Sequence, residues 1–174
     1  NLADSEYNIR WQQCEEGVAI LQKSYNAVSS LRDVTLEQLN AHEQELSDVV
    51  YKRCKYVIEE NERVVRMTQA LSDADFPTVG EILKVAQEGM REEYEISCPE
   101  IDFMAGFANS RQDVLGARMM GGGFGGCTIN LVNRGSEDLF ISELNSAYQK
   151  KFNKEITPIK VKISDGVKRI QAWV

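Results

Sequence analysis

From position 121 to 126 the chain reads Gly-Gly-Gly-Phe-Gly-Gly, so five of its twelve glycines fall within six residues. Glycine reaches positive φ at little steric cost and lets a second backbone or a polyanion approach closely. Strand-like stretches flank the run at 114–119 and, apolar and β-branched, at 127–132. A loop almost free of side chains between two antiparallel strands is the expected structure. Gly121, Gly123 and Gly126 satisfy G-x-G-x-x-G, but the dinucleotide fingerprint must open a helix, and Cys127 begins a strand-like run. No Lys-Ser or Lys-Thr follows, which removes a P-loop. Spacing alone leaves two readings open, a structural turn and a loop beside a ligand.

Upstream the grammar is helical. After a cap expected at Ser5, Trp11, Cys14, Val18, Leu21 and Tyr25 recur at three- and four-residue steps and form one apolar stripe. Thr35 and Gln38 make a capping box ahead of Leu36, Leu39 and Leu46. Cys54, Val57, Ile58, Val64 and Val65 predict a helix over 48–71, which Ser72-Asp-Ala-Asp-Phe-Pro77 breaks. A second box, Thr78 with Glu81, opens a helix carrying Val79, Ile82, Leu83, Ala86 and Met90. A further helix with Ile101, Met104 and Ala108 starts near Ser97-Cys-Pro-Glu100, where Pro99 is tolerated in the first turn and Glu100 reads as a box partner.

Beyond the glycines, Asn133-Arg-Gly-Ser136 turns the chain into a helix bearing Ile141, Leu144, Tyr148 and Phe152. Ile159, Val161 and Ile163 then alternate with Lys160 and Lys162, the pattern of a half-buried strand. Asp165-Gly166 is a hairpin turn into a last segment at 170–174. The expected architecture is one α+β domain over 1–174, with helices packed on a small antiparallel sheet. It divides into a mainly helical part, 1–110, and a glycine-loop α/β part, 111–174.

A net charge of −7 argues against a nonspecific nucleic-acid surface. The basic residues Lys52-Arg53, Lys160 and Lys162 are expected on solvated faces. Cys14, Cys54, Cys98 and Cys127 form no C-x-x-C pair, so they suggest neither a zinc site nor a disulfide framework but reduced thiols in the cytoplasm. No signal peptide and no membrane-spanning apolar run is evident. His42, the sole histidine, lies among Glu37, Glu43 and Glu45 and is expected to face solvent. No catalytic or metal-ligating set can be assembled. The opening Asn1-Leu-Ala-Asp, without an initiator methionine, is expected of a piece of something longer.

Three separated segments resemble the GHMP kinases and, within them, the galactokinases. The stretch 116–132 is similar to the family's third, glycine-rich motif. Asp4-Ser-Glu-Tyr-Asn-Ile-Arg10 with Cys14-Glu15 resembles the segment that brings a tyrosine to the sugar. Ser97-Cys-Pro-Glu-Ile-Asp102 resembles the Cys-Pro-Glu-Leu-Asp stretch upstream of the third motif. Trp11 departs from the pattern where a second arginine is common, as does Met120 where a threonine or serine usually precedes the glycines.

The resemblance implies a ferredoxin-like C-terminal domain and transfer of the γ-phosphoryl group of ATP, with Mg2+, to O1 of α-D-galactose. It implies that the catalytic base and most sugar and phosphate ligands lie in an N-terminal domain, the partner without which this chain is inactive. Tyr7, which by position reads as a staple at a helix start, is assigned by the resemblance to a galactose hydroxyl. Gly121, Gly122, Gly123, Phe124, Gly125 and Gly126 are assigned to closing the nucleotide site near the phosphates, with the Tyr7 ring leaning into the same crevice. Glu100 and Asp102 are explained by the helix start and a solvated face. Two alternatives stay open: a non-catalytic galactokinase-like sensor or regulator, and a kinase for a related sugar such as N-acetylgalactosamine.

Overall fold

Caps and breaks set the element boundaries in the computed structural model, which describes residues 2–162. Helix α1 runs Leu2–Leu21, α2 Leu36–Asn40, α3 Asp48–Ser72, α4 Phe76–Glu92 and α5 Pro99–Asn109. Strands β1 (Val114–Met120) and β2 (Cys127–Val132) follow, and α6 (Glu137–Phe152) closes the described order. The box at Thr35 forms as expected: its hydroxyl accepts the Gln38 N–H, and the Gln38 side chain accepts the Thr35 N–H. Ser47 caps α3 by accepting the Val50 N–H.

Three expected starts move. α1 passes through Ser5, so that cap lies inside the helix. α4 is capped by Asp75, whose side chain accepts the Thr78 N–H, because Pro77 fits the first turn and carries no N–H to be satisfied. Thr78 and Glu81 therefore sit within the helix. α5 has Cys98 at its cap with no side-chain bond; Ser97 instead donates to Asp102 at 2.6 Å, and Glu100 pairs with Lys154 at 3.0 Å.

The first core joins α1, α2 and α3 through Val18, Leu21, Leu39, Val50, Cys54 and Ile58. Trp11 is 57% exposed and off this stripe, because four residues back from Cys14 the helix reaches Arg10. The far half of α3 likewise turns Val64 and Val65 to solvent and buries Arg63 and Ala70. His42 does not face solvent. It packs edge-on against Tyr25 with ring centroids 5.2 Å apart, and its two nitrogens contact the Gln38 carbonyl and the Ser24 hydroxyl.

β1 and β2 pair antiparallel from Met120↔Cys127 to Val114↔Val132, with Leu115 bulged between the last two pairs. α4 and α5 pack against β1, and the bulge brings the Leu115 carbonyl onto Gly80. Along the side of β1 away from β2, side-chain amides replace a neighbouring strand. Asn109 Oδ1 accepts the Ala117 N–H at 2.7 Å, Asn109 Nδ2 donates to the Ala117 carbonyl at 3.0 Å, and Gln87 Oε1 accepts the Met119 N–H at 2.7 Å. Ala108, Val114, Ala117, Phe140 and Leu144 form a core between α5, β1 and α6.

The strand expected from Ile159 is not formed in the described residues. Ile159 and Val161 are 80% and 77% exposed and belong to no ladder, since the described sheet has two strands only. Ile163, the Asp165-Gly166 turn and the 170–174 segment lie outside the described residues. Among the described residues no helix is long and apolar enough to cross a membrane.

Candidate functional site

The loop between β1 and β2 is shaped by left-handed backbone. Gly121, Gly123, Gly125 and Gly126 have φ between +91° and +136°, and Phe124 joins them at +60°. Phe124 pays that strain for an anchor: its ring packs into a cluster of Tyr56, Met90, Ile96, Ile101 and Met119. Its N–H donates to the Ile96 carbonyl at 2.7 Å. A side chain on Gly123 would strike that same carbonyl, with its Cβ 2.6 Å from the oxygen. Added Cβ atoms at Gly121, Gly122 and Gly125 would meet nothing within 4 Å. The loop thus has a pinned inner side and a bare outer rim. Among the described residues the N–H groups of Gly122, Gly123 and Gly125 have no protein acceptor.

Beside the rim lies a cavity of about 280 Å³ between Gly125, Gly126, the first turn of α5 and Tyr148. Tyr7 is not among the residues that line it. The tyrosine stands on α1 and is 61% exposed. What links them is the peptide 93–96, which leaves the end of α4.

Four successive carbonyls of this peptide each take a donor from elsewhere in the fold. The Glu93 carbonyl accepts Arg53 Nη1. Arg10 Nε reaches the Tyr94 carbonyl at 2.8 Å and Arg10 Nη2 the Glu95 carbonyl at 3.1 Å. The Ile96 carbonyl accepts the Phe124 N–H. Glu95 is itself left-handed, with φ +52°, and its carboxylate meets Arg53 Nη2 at 2.7 Å. That hydrogen bond from Arg53 holds the Glu95 carboxyl below its usual range. The remaining nitrogens are also used, Arg10 Nη1 by Glu6 at 3.3 Å and Arg53 Nε by Gln13 at 3.2 Å.

Arg53 is only 3% exposed, so the solvated face expected for Lys52-Arg53 fails at this residue. A charge so deeply buried is tolerated because its fork is satisfied by a carbonyl, a carboxylate and an amide. Tyr94 stacks on Tyr56 with ring centroids 4.9 Å apart, and its hydroxyl lies 3.8 Å from Cys14 Sγ. Burial pushes the Tyr94 phenol up, and the Cys14 thiol and Tyr7 hydroxyl add to the shift. The peptide 93–96 therefore ties α1, through Arg10, to the glycine loop, through Phe124.

Arg118 of β1 pairs with Glu60 at 2.5 Å, and Arg63 reaches the same carboxylate at 2.7 Å. Burial acts upward on Glu60, but these two guanidinium groups outweigh it and hold the carboxyl below its usual range. No group of three or more His, Cys, Asp or Glu side chains among the described residues is arranged to hold a metal ion. Arg10, Arg53 and Ile96 were invisible to pattern reading: an arginine in a helix reads as a wet residue. The one available signal was the three-residue step from Tyr7 to Arg10, which puts both on one side of α1.

Comparison with known proteins agrees with this architecture. Residues 67–150 match the family model described as GHMP kinases C terminal. A galactokinase from Thermotoga neapolitana is 44% identical over 97% of this chain and 46% of its own length. Galactokinases from Roseiflexus sp. and Clostridium beijerinckii are 38% and 35% identical, again over 97% of the chain and 43% of their own lengths. The chain therefore spans less than half the length of these curated relatives. Among solved structures, Lactococcus lactis galactokinase complexed with galactose superposes with a TM-score of 0.82 at 28% identity, covering 87% of this chain and 39% of that one.

Proposed function

The chain carries a GHMP kinase C-terminal domain, and on that premise we propose that it is the C-terminal part of a galactokinase, which transfers the γ-phosphoryl group of ATP to O1 of α-D-galactose. The observation that carries this reading is the bare outer rim of the glycine loop, held rigidly from its inner side. Phosphoryl transfer is governed by positioning and by charge stabilisation over the phosphate oxygens. A rim without side chains lets a nucleotide-bearing neighbour come close, and the free N–H groups of Gly122, Gly123 and Gly125 suit phosphate oxygens.

In this reading Tyr7, exposed on α1, contributes its hydroxyl to a galactose hydroxyl. The Mg2+ that such a reaction uses, the base and most sugar ligands belong, in the same reading, to the rest of the protein. This chain's share of the reaction is to hold the sugar at Tyr7 and to close the phosphate side with the loop.

The test is to join or mix this chain with the N-terminal half of its parent protein and measure galactose-dependent ADP release. Release from the assembly and none from the chain alone is the expected result. Phosphorylation by the chain alone overturns the division of labour. Galactose binding without ADP release identifies a sensor instead, and stronger turnover of N-acetylgalactosamine changes the sugar.

A further inference from the structure

We propose that Arg10 is a positioning residue that holds the glycine loop in its working shape, acting across the fold through the peptide Tyr94–Ile96. Arg10 stands one helical turn from Tyr7, and its guanidinium grips the two carbonyls immediately before the one that anchors the loop. The next carbonyl in line, that of Ile96, accepts the Phe124 N–H, and Gly123 rests on the same oxygen. Both ends of the linkage are left-handed at a residue other than glycine, Glu95 and Phe124. Such backbone persists only where its surroundings over-determine it. Without the fork the Tyr94–Ile96 peptide loses two of its three outside donors, and the Ile96 carbonyl is no longer fixed in place.

The fork is specific to arginine. Two N–H groups set at a rigid angle meet successive carbonyls, whereas one ammonium on a flexible stem cannot reproduce the pair. Each of the three Arg10 nitrogens already has a protein partner, since Glu6 takes Nη1. Its effect on the site is exerted through the groups it holds.

The experiment compares Arg10→Lys with the unsubstituted protein after assembly with the N-terminal half. Amide exchange at Phe124 is read at single-residue resolution by mass spectrometry, beside ATP and galactose kinetics. Expected is faster exchange at Phe124 by about tenfold or more, the scale of one lost charged hydrogen bond, with the α3 amides unchanged. The KM for ATP should rise on a similar scale, while that for galactose stays within about threefold, because the loop and not Tyr7 is displaced.

Unchanged exchange at Phe124, or a uniform rise across all amides, overturns the proposal. Gly123→Ala attacks the linkage from its other end and serves if Arg10→Lys fails to fold: it should raise the KM for ATP in the same way, and an unchanged KM overturns the proposal. In the double variant the two effects should not multiply, since they break one linkage; a multiplied effect counts against it. The kinetic arm rests on the galactokinase reading, but the exchange arm does not. An assembly that phosphorylates no sugar sinks that reading, and Phe124 exchange still decides the role of Arg10.

Discussion

Gly80 of α4 and Gly116 of β1 stand backbone against backbone: a Cβ on Gly80 would lie 2.3 Å from the Leu115 carbonyl oxygen, and one on Gly116 2.3 Å from the Gly80 oxygen. No rotamer relieves a clash with a main-chain atom. The helix and the strand can meet this closely only because both positions lack a side chain.

Gly80→Ala should therefore invert the usual rule for helices. In an exposed helix interior the change gains about 1 kcal/mol; here separation of α4 from β1 should cost about 2–4 kcal/mol. Urea denaturation midpoints compare the two. A variant as stable as the original would mean that the contact is looser than described.

Asn109→Ala removes both partners of Ala117, which is fully buried. Leaving that N–H and carbonyl without water or protein partners should destabilise the fold by about 1–3 kcal/mol. Asn109→Leu tests the same point at nearly constant volume, and either variant is read from the shift of the unfolding curve.

Asp33 supplies a pH-dependent contribution. Its carboxylate accepts the Ser29 hydroxyl and the N–H groups of Ser29 and Ser30, and these bonds lower its pKa to about 2. A carboxyl whose folded value lies below its unfolded one, about 3.9, stabilises the fold above the unfolded value. That contribution fades as pH falls towards about 2. Carbon-detected NMR titration of the side-chain carboxyl gives the folded value directly, and a midpoint near 3.9 would show that the capping bonds do not hold in solution.

Two substitutions separate the sugar side from the phosphate side of the proposed reaction. Tyr7→Phe should raise the KM for galactose about tenfold, the effect of losing one hydroxyl contact, and leave the KM for ATP unchanged. Gly122→Ala meets open space at a residue without positive φ, so its stability should change by less than about 0.5 kcal/mol. If the rim receives the nucleotide-bearing neighbour, this harmless variant should nevertheless use ATP poorly in steady-state assays. Normal ATP kinetics would show that the rim faces nothing that matters.

The strand pair and its loop were legible because a glycine cluster running into the β-branched, apolar stretch 127–132 admits few other structures, and Thr35 with Gln38 announced a helix start that formed as read. Asp75 took the cap that Thr78 was expected to hold because Pro77 needs no partner, a local rule that was available but outweighed by the box pattern. The peptide 93–96 was not legible at all. Its carbonyls are satisfied by residues about 30 to 85 positions away in the chain, and no periodicity encodes such a pairing. Arg53 was misplaced for the same reason: type alone says wet, and only the fold supplies the acceptors that let it be buried. Ile159 and Val161 show the converse, since alternation describes a strand only where a neighbouring ladder exists to receive it.

With Asn109 and Gln87 occupying the bonding positions along the outer margin of β1, that strand is sealed against addition. Among the described residues, the sheet margin left open to backbone pairing is consequently the one along Cys127–Val132.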